Sequence, residues 1–521
     1  MEWVRADDGI RLAELMAALS LATDLGLGRP LEHELGICLA ALELAERLGC
    51  SVDESSDVYY VALLAHVGCT GAASYLAGWV GGDEIHFQSG VQVLGPASEP
   101  SEDLRYLVRH LADDRPLPER ARLVAKLLVG GQKQFELMAE NLCEGGRLLS
   151  RRLRLPEEVG LALGQMTERW DGKGFPGKLA GEEISRPLRI VRVAHDLVAV
   201  AHARDREAAI EALERRRGRG YDPQVVDAAL VEPEALLRAA DPLDAWERVI
   251  DAEPQPAATI STAGLGMVAR AFGEFADLKV DFLHGHSTRV AELAATAAEA
   301  LGCSRAEASE LRTAGFVHDL GRVSVPNGIW DKPGPLSAGE WERVRLHPYY
   351  TERVLGRSGA LAPLALLAGS HHERLDGSGY HRGAAAAQLS VGARLLGAAD
   401  AYDAMTHERP HRGAFRPEDT RTELGEMVRA GTLDKRAVDA VLEAAGAAAL
   451  VVRQSYPAGL SDREVEVLRL IAQGRTSKEI AQALVITEKT AGHHVEHIYT
   501  KIGVSTRVGA AMFAMQHDLA E

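Results

Sequence analysis

Residues 371–380 read His371-His372-Glu373-Arg374-Leu375-Asp376-Gly377-Ser378-Gly379-Tyr380, and residues 318–322 read His318-Asp319-Leu320-Gly321-Arg322. Both stretches put imidazoles and a carboxylate beside glycines. The chain around them is rich in Ala, Leu, Glu and Arg, with apolar residues recurring at three and four. In Arg289–Leu301, Val290, Leu293, Ala297 and Leu301 fall on one stripe. Alternating strand-like runs are scarce, so the expected fold class is all-α.

Both stretches have an earlier echo. Glu168-Arg169-Trp170-Asp171-Gly172-Lys173-Gly174-Phe175 matches Glu373 to Tyr380, and each is followed by an apolar helix, Leu188–Val200 and Ala393–Met405. His66-Val67-Gly68-Cys69 matches His318-Asp319-Leu320-Gly321, and His33 and His286 each precede an apolar helix. This predicts an internal duplication of a domain of about 200 residues. Two proline-containing segments, Asp251–Pro256 and Arg453–Gly459, suggest linkers. The expected domains are therefore 1–250, 257–452 and 458–521. A chain of 521 residues is too long for one ordinary core.

The second repeat concentrates metal-ligand chemistry. His286, His318, Asp319, His347, His371, His372 and Asp400 offer imidazole and carboxylate donors. Such a mixture suits Fe, Mn, Zn or Co better than Ca or Mg. Seven donors exceed what one ion could use while leaving room for substrate. Two ions about 3.5–4 Å apart, sharing a bridging carboxylate, would use them all and could clamp a phosphate for in-line attack. A single helical histidine is more often a surface or core residue, and His-Asp alone is weak. The inference rests on the whole set.

Residues 280–412 resemble the HD-GYP phosphodiesterases of the HD superfamily. The motifs are Gly285-His286-Ser287-Thr288-Arg289-Val290, His318 to Arg322, Val325 to Leu336, His347-Pro348, His371 to Tyr380, and Ala398 to Thr406 followed by Arg409-Pro410. The resemblance implies tandem HD-type helical domains, two divalent transition-metal ions (Fe or Mn foremost) and hydrolysis of cyclic di-GMP to pGpG or GMP. It implies that His286, His318 and Asp400 hold one ion, that His347, His371 and His372 hold the other, and that Asp319 bridges. Arg322 stands where the family usually has Lys, and with Asp319 is assigned to catalysis. Arg322, Tyr380, Arg409 and Arg412 match positions that touch nucleotide. The proline of the family's Gly-Tyr-Pro is His381 here, which puts substrate access and partner contacts in doubt. Phe282 stands where some members carry an extra Glu ligand, so no third ion is expected.

The first repeat reads as degenerate. Val67 stands for the bridging Asp, Met166 and Thr167 for the His pair, and His195 near the last Asp, beside Asp196. Without the bridge a two-metal centre fails, although His33, His66 and His86 could still bind one ion.

Residues 460–511 carry sharp helix punctuation: Ser461 with Glu464, Thr476 with Glu479, Thr487 as a third cap, and Gly474 and Gly503 as stops. The text resembles the LuxR-type helix-turn-helix domain over nearly its whole length. The resemblance implies that the helix after Thr487 enters the major groove. Lys489, Thr490, His493 and His494 would then face DNA, with Lys478, Lys501 and Arg507 at phosphates. Balanced charge in this domain predicts weak, salt-dependent monomer binding, and hence a homodimer on double-stranded DNA.

Composition sets the remaining bounds. Hydrophobic residues make up 46% and charged residues 26%, with a net charge of -17. That argues against a nucleic-acid coat or a surface that hugs anionic lipid. Five scattered cysteines without a Cys-x-x-Cys pair suggest reduced thiols in a cytoplasm. No run of about 18 apolar residues predicts a membrane span, and Met1 to Asp8 lacks a signal-peptide pattern. Two functional classes follow: a cyclic di-GMP phosphodiesterase coupled to transcriptional regulation, or a nucleotide-responsive transcription factor with little turnover. Hydrolysis of another nucleotide is a third.

Overall fold

The computed structural model describes residues 9–81, 83–91, 116–447, 456–517 and 519. The expected linker residues 453–455 and the N-terminal residues 1–8 lie outside them. The described chain is helical, as the residue spacing predicts. Its two strands, Ile10–Arg11 and Thr259–Ile260, are two residues each and pair antiparallel, Ile10 opposite Ile260. Two compact units result. One holds both repeats, here called the first and second lobes; the other holds the C-terminal helices.

The lobes share local chemistry as well as pattern. The helix Val52–Leu64 starts in a Ser51/Glu54 capping box, and Arg305–Val317 starts in a Ser304/Glu307 capping box. The helices His33–Arg47 and His286–Ala300 each follow a left-handed residue, Glu32 at φ 72 and Gly285 at φ 76. Asp24 accepts from the Glu34 amide as Asp277 accepts from that of Ser287. In the glycine loops, Glu168 accepts from the Gly177 and Leu179 amides, and Glu373 from those of Arg382 and Ala384.

This register corrects one expected correspondence. Counted from the caps, His66 stands opposite Asp319 and Ala65 opposite His318. The backbone agrees: Ala65 (φ -50, ψ -34) matches His318 (φ -58, ψ -31), and His66 (φ -112, ψ 7) matches Asp319 (φ -104, ψ 14). The bridging carboxylate is thus replaced by His66, not Val67. Sequence matching slipped by one residue because two histidines aligned by letter, whereas the cap fixes how many residues the helix spends before its end. A second match comes from close backbone approach. A Cβ on Gly68 would strike the Leu142 carbonyl, and one on Gly321 the His347 carbonyl. Leu142 therefore stands where the second lobe has His347.

The lobes do not part at residues 251–256. Glu253 is buried and ties that segment down, accepting from Arg11 (2.8 Å), the Tyr60 hydroxyl (2.8 Å) and the Ala258 amide (3.1 Å). One apolar core continues from Leu12, Leu15 and Met16 through Phe272 to Leu320 and Val323. Gly26, at the end of the helix Leu12–Gly26, lies against Val323, close in sequence to Asp319. A fully buried ion pair, Lys279–Glu84 at 2.6 Å, adds a second tie; Glu84 also accepts from the Asn327 amide. Composition marks a linker by its prolines, but the buried Glu253 anchors this one between the lobes.

Val52–Val80 is long and apolar enough to cross a membrane by composition, and 67% of its most apolar window is buried in the protein. It comprises two helices, Val52–Leu64 and Val67–Val80. All five cysteines are free thiols.

In the C-terminal unit, the helices Asp462–Ala472, Ser477–Ala483, Glu488–Ile502 and Arg507–Gln516 pack around Val465, Leu468, Ile471, Ile480, Ala491 and Ile498. The capping boxes form at Ser461/Glu464 and Thr476/Glu479, and Thr487 accepts from the Thr490 amide. Gly474 (φ 82) and Gly503 (φ 69) take the left-handed conformation that stops the first and third helices.

Candidate metal centre

Three of the seven proposed donors sit just beyond helix ends. His318, His347 and His371 follow the helices Arg305–Val317, Ala338–Arg345 and Ala362–Gly369. Each Nδ1 donates to a carbonyl three residues back: Gly315 at 2.7 Å, Val344 at 2.6 Å and Ala368 at 2.7 Å. The last carbonyls of a helix lack partners within it. Capping one with Nδ1–H fixes the tautomer and turns the Nε2 lone pair inward. His286 opens the helix His286–Ala300, and its Nδ1 is held at 2.7 Å by Asp403. Asp400 and Asp403 lie on adjacent turns of the helix Val391–Thr406.

The structure brings all seven residues together. His286 Nε2 lies 3.3 Å from both Asp319 Oδ2 and Asp400 Oδ1, and His318 Nε2 lies 3.4 Å from Asp319 Oδ2. On the other side, Asp319 Oδ1 is 3.2 Å from His347 Nε2 and 3.4 Å from His371 Nε2. The two oxygens of Asp319 thus face different histidine pairs. The donors fall into one group of His286, His318 and Asp400 and another of His347, His371 and His372, each within 4.8 Å. His372 Nδ1 also lies 3.6 Å from Asp400 Oδ2.

These atoms fit cations. His286 Nε2, His318 Nε2, Asp319 Oδ1 and His372 Nδ1 are buried without a hydrogen-bond partner. Each such atom costs about 1–3 kcal/mol, a cost that an entering cation would offset. Imidazole nitrogen with carboxylate oxygen is a donor set for divalent transition metals. Burial opposes charge on Asp319, yet Arg322 and His318 hold its carboxyl well below the usual range. Burial lowers His347 to about 4 and pushes His372 well down, which keeps both rings neutral as ligands must be.

Of the residues expected to touch nucleotide, Arg322 contacts Asp319 Oδ2, with its guanidinium 4.9 Å over the Trp330 ring. Tyr380 packs its ring 4.8 Å from that of His372. Arg409 is half-buried, its guanidinium 5.2 Å over the Phe282 ring, and desolvation lowers it to about 10. Arg412 departs from expectation. Its guanidinium donates to the carbonyls of Ala404, Met405, His407 and Gly413 and packs over Phe415. Those contacts give it a loop-bracing place, because a fork with five donors is largely spent on backbone.

Several supporting residues were not singled out from sequence. Asp403 holds both His286 and Arg289, the latter at 2.7 Å. Its signal was present, as an acid one helical turn after Asp400. Thr351 accepts from the Gly321 amide and donates to the His318 carbonyl. Nothing in a lone threonine reveals that pairing.

In the first lobe the expected trio does not assemble. His86 is exposed on the helix Glu84–Val91, and the His33 ring faces His202 at 5.6 Å. The group that forms is Glu34, His66 and His195. Three letters on separate helices cannot reveal which faces meet.

In the C-terminal unit, Lys478, Lys489, Thr490 and His493 are exposed and His494 is half-buried. Lys501 departs from expectation. Its ammonium is bound by Glu464 at 2.7 Å and the Gly459 carbonyl at 2.9 Å, so it closes the capping box instead of reaching out. Arg507 is half-buried and donates to the Arg475 carbonyl.

The chain is similar to known proteins over both lobes and the C-terminal unit. The profile of the HD domain matches residues 132–225 and 270–436, and thus both lobes. That of the bacterial regulatory proteins of the luxR family matches residues 458–514. The 3'3'-cGAMP-specific phosphodiesterase 3 of Vibrio cholerae is 32% identical over 79% of this chain and 89% of its own. A cyclic di-GMP phosphodiesterase of Thermotoga maritima is 36% identical over 27% of this chain and 38% of its own. The crystal structure of a cyclic GMP-AMP-specific phosphodiesterase from V. cholerae superposes with a TM-score of 0.57 at 27% identity, covering 84% of this chain and 98% of that one. With the donor cluster, the duplicated lobes and these matches together, the chain belongs to the HD domain family, in its HD-GYP branch, and ends in a luxR-family helix-turn-helix domain.

Proposed function

We propose that the second lobe hydrolyses a phosphodiester bond of a 3'3' cyclic dinucleotide. The observation that carries this reading is the seven-donor cluster, with Asp319 turned both ways between two donor groups. His286, His318 and Asp400 would hold one divalent ion and His347, His371 and His372 the other, with Fe or Mn foremost. Bound there, the ions would supply Lewis acidity to a phosphoryl oxygen and lower the pKa of water.

The chain's own residues do the rest. The capped Nδ1 atoms keep the rings from turning. Arg322 lies beside Asp319, where its planar fork can take a phosphate oxygen in exchange for the carboxylate. Trp330 supports that guanidinium from below. The Tyr380 ring, beside His372, offers a face for a base, and Arg409 adds positive charge. Water adds to phosphorus and the ring ester bond breaks, giving a linear dinucleotide with a 5' phosphate.

Cyclic di-GMP is the substrate that the motifs suggest. The V. cholerae relative that covers both lobes is specific for 3'3'-cGAMP, which favours that substrate as a second reading. The C-terminal domain would bind double-stranded DNA through Lys489, Thr490, His493 and His494, with Lys478 at phosphates, most stably as a homodimer in a cytoplasm. The test is product analysis of purified protein loaded anaerobically with Fe(II) or Mn(II), offered cyclic di-GMP and 3'3'-cGAMP in parallel. Linear product, lost in Asp319→Ala, supports the reading. Tight binding of either nucleotide without product would favour a receptor.

A further inference from the structure

The cluster in the first lobe encloses a cation that belongs to the chain. Arg29 is 7% exposed, and its guanidinium contacts Glu34 Oε1. It lies 3.4 Å from His66 Nε2 and 3.2 Å from His195 Nε2. Glu34, His66 and His195 present their donor atoms within 4.8 Å of one another, two imidazoles and one carboxylate. That is a complete ligand set for a single transition-metal ion. A guanidinium lies among these donors.

Matching the lobes from their left-handed caps shows what stands at each position. Arg29 stands opposite Phe282, and Glu34 opposite Ser287. The second lobe has no charge at either position; the first has a cation at one and an anion at the other. Charge accounting explains the pairing. The second-lobe donors include two carboxylates, Asp319 and Asp400; Arg322 contacts the first, and neutral imidazoles offset neither. In the first lobe His66 and His195 occupy those two positions, and Glu34 is the only carboxylate in the donor group. One fixed positive charge balances it. Asp196 is held by His195 Nδ1 at 2.7 Å and by the Tyr221 hydroxyl, and with Asp24 it adds to the negative field that favours the Arg29 cation. Burial lowers Arg29 only to about 10, so it stays charged at neutral pH.

We propose that Arg29 is the resident cation of the first lobe: it holds Glu34, His66 and His195 together and shuts a metal ion out of a site whose ligands are otherwise complete. The first lobe is then a metal-free structural copy because it carries its own charge, and not only because it lost donors. The analogy with the second lobe rests on the metal-centre reading, but the first-lobe geometry stands without it.

The test counts ions on the full-length chain after loading with Mn(II) or Co(II) and removal of excess metal. Whatever number the wild type holds, His66→Ala should leave it unchanged. Arg29→Met should raise it by one ion per chain, with a new Co(II) absorption band, and adding Glu34→Gln should abolish the gain. A wild-type ion lost on His66→Ala overturns the proposal, because the lobe would then bind metal with Arg29 in place. A folded Arg29→Met chain with no added ion overturns it too. Should Arg29→Met fail to fold, Arg29→Phe with Glu34→Ser, the second lobe's own pair, should restore folding without metal. Failure to restore would also overturn it. The wild-type count tests the metal-centre reading; the change in count tests this one.

Discussion

The two lobes keep the same scaffold around different chemistry. Their helices start in the same capping boxes, their glycine loops are braced by equivalent glutamates, and equivalent glycines admit a neighbouring backbone. Where the second lobe has His318, Asp319, His347, His371, His372 and Asp400, the first has Ala65, His66, Leu142, Met166, Thr167 and His195. The difference teaches that ligands can be lost while the frame persists, because the two are stabilised separately. Caps and backbone packing hold the frame. The inward-facing ligand atoms, buried and mostly without hydrogen-bond partners, cost stability unless a cation compensates them.

The sharpest way to break this comparison is to remove the facing residues of each lobe. Asp319→Ala should empty the centre of metal and reduce turnover to background, read by metal analysis and product formation. His66→Ala, its counterpart, should leave both at the wild-type level. Equal losses would mean that the lobes share one functional site.

Next comes the support of the ligands. Asp403→Ala frees His286 Nδ1 and should cost about 10–100-fold in metal affinity or activity, measured by competition with a chelator. Val198 fills the equivalent helical turn of the first lobe, where Asp196 supports His195 Nδ1 instead.

The glycines test the frame itself. Gly321→Ala and Gly68→Ala each press a methyl against a neighbouring carbonyl and should each destabilise by about 1–3 kcal/mol, seen as lowered thermal midpoints. Only Gly321→Ala should also weaken metal loading, since it moves His347.

The smallest effect lies in the C-terminal unit. Thr476→Ala removes a helix cap and should cost that domain about 1 kcal/mol, leaving hydrolysis untouched. In DNA titrations, Lys489→Ala should weaken binding, whereas Lys501→Ala should act first on the domain's thermal stability. The reverse order would place Lys501 at the DNA.

Much of this was legible in the residues. Helical spacing predicted the fold class. Capping signals and two glycine stops predicted the helices of the C-terminal domain. The second-lobe donors could be read because they fall in short motifs whose residue types have few other reasons to cluster. The register of the degenerate lobe was not legible, since two aligned histidines mislead by one residue where a capped helix counts correctly. Nor were the fates of Arg412 and Lys501, whose charges are taken by backbone carbonyls and a capping glutamate.

The sequence alone determined which chemistries were present: imidazoles and carboxylates in metal-binding types, helix caps, and a repeated loop. Tertiary structure decided which of them meet. It turned Asp319 between two histidine groups, pinned the proline segment through Glu253, and set Arg29 among Glu34, His66 and His195. The reason is physical. Local spacing fixes which face of a helix a side chain occupies, but the partner on that face comes from a distant part of the chain, and only packing brings the two into contact.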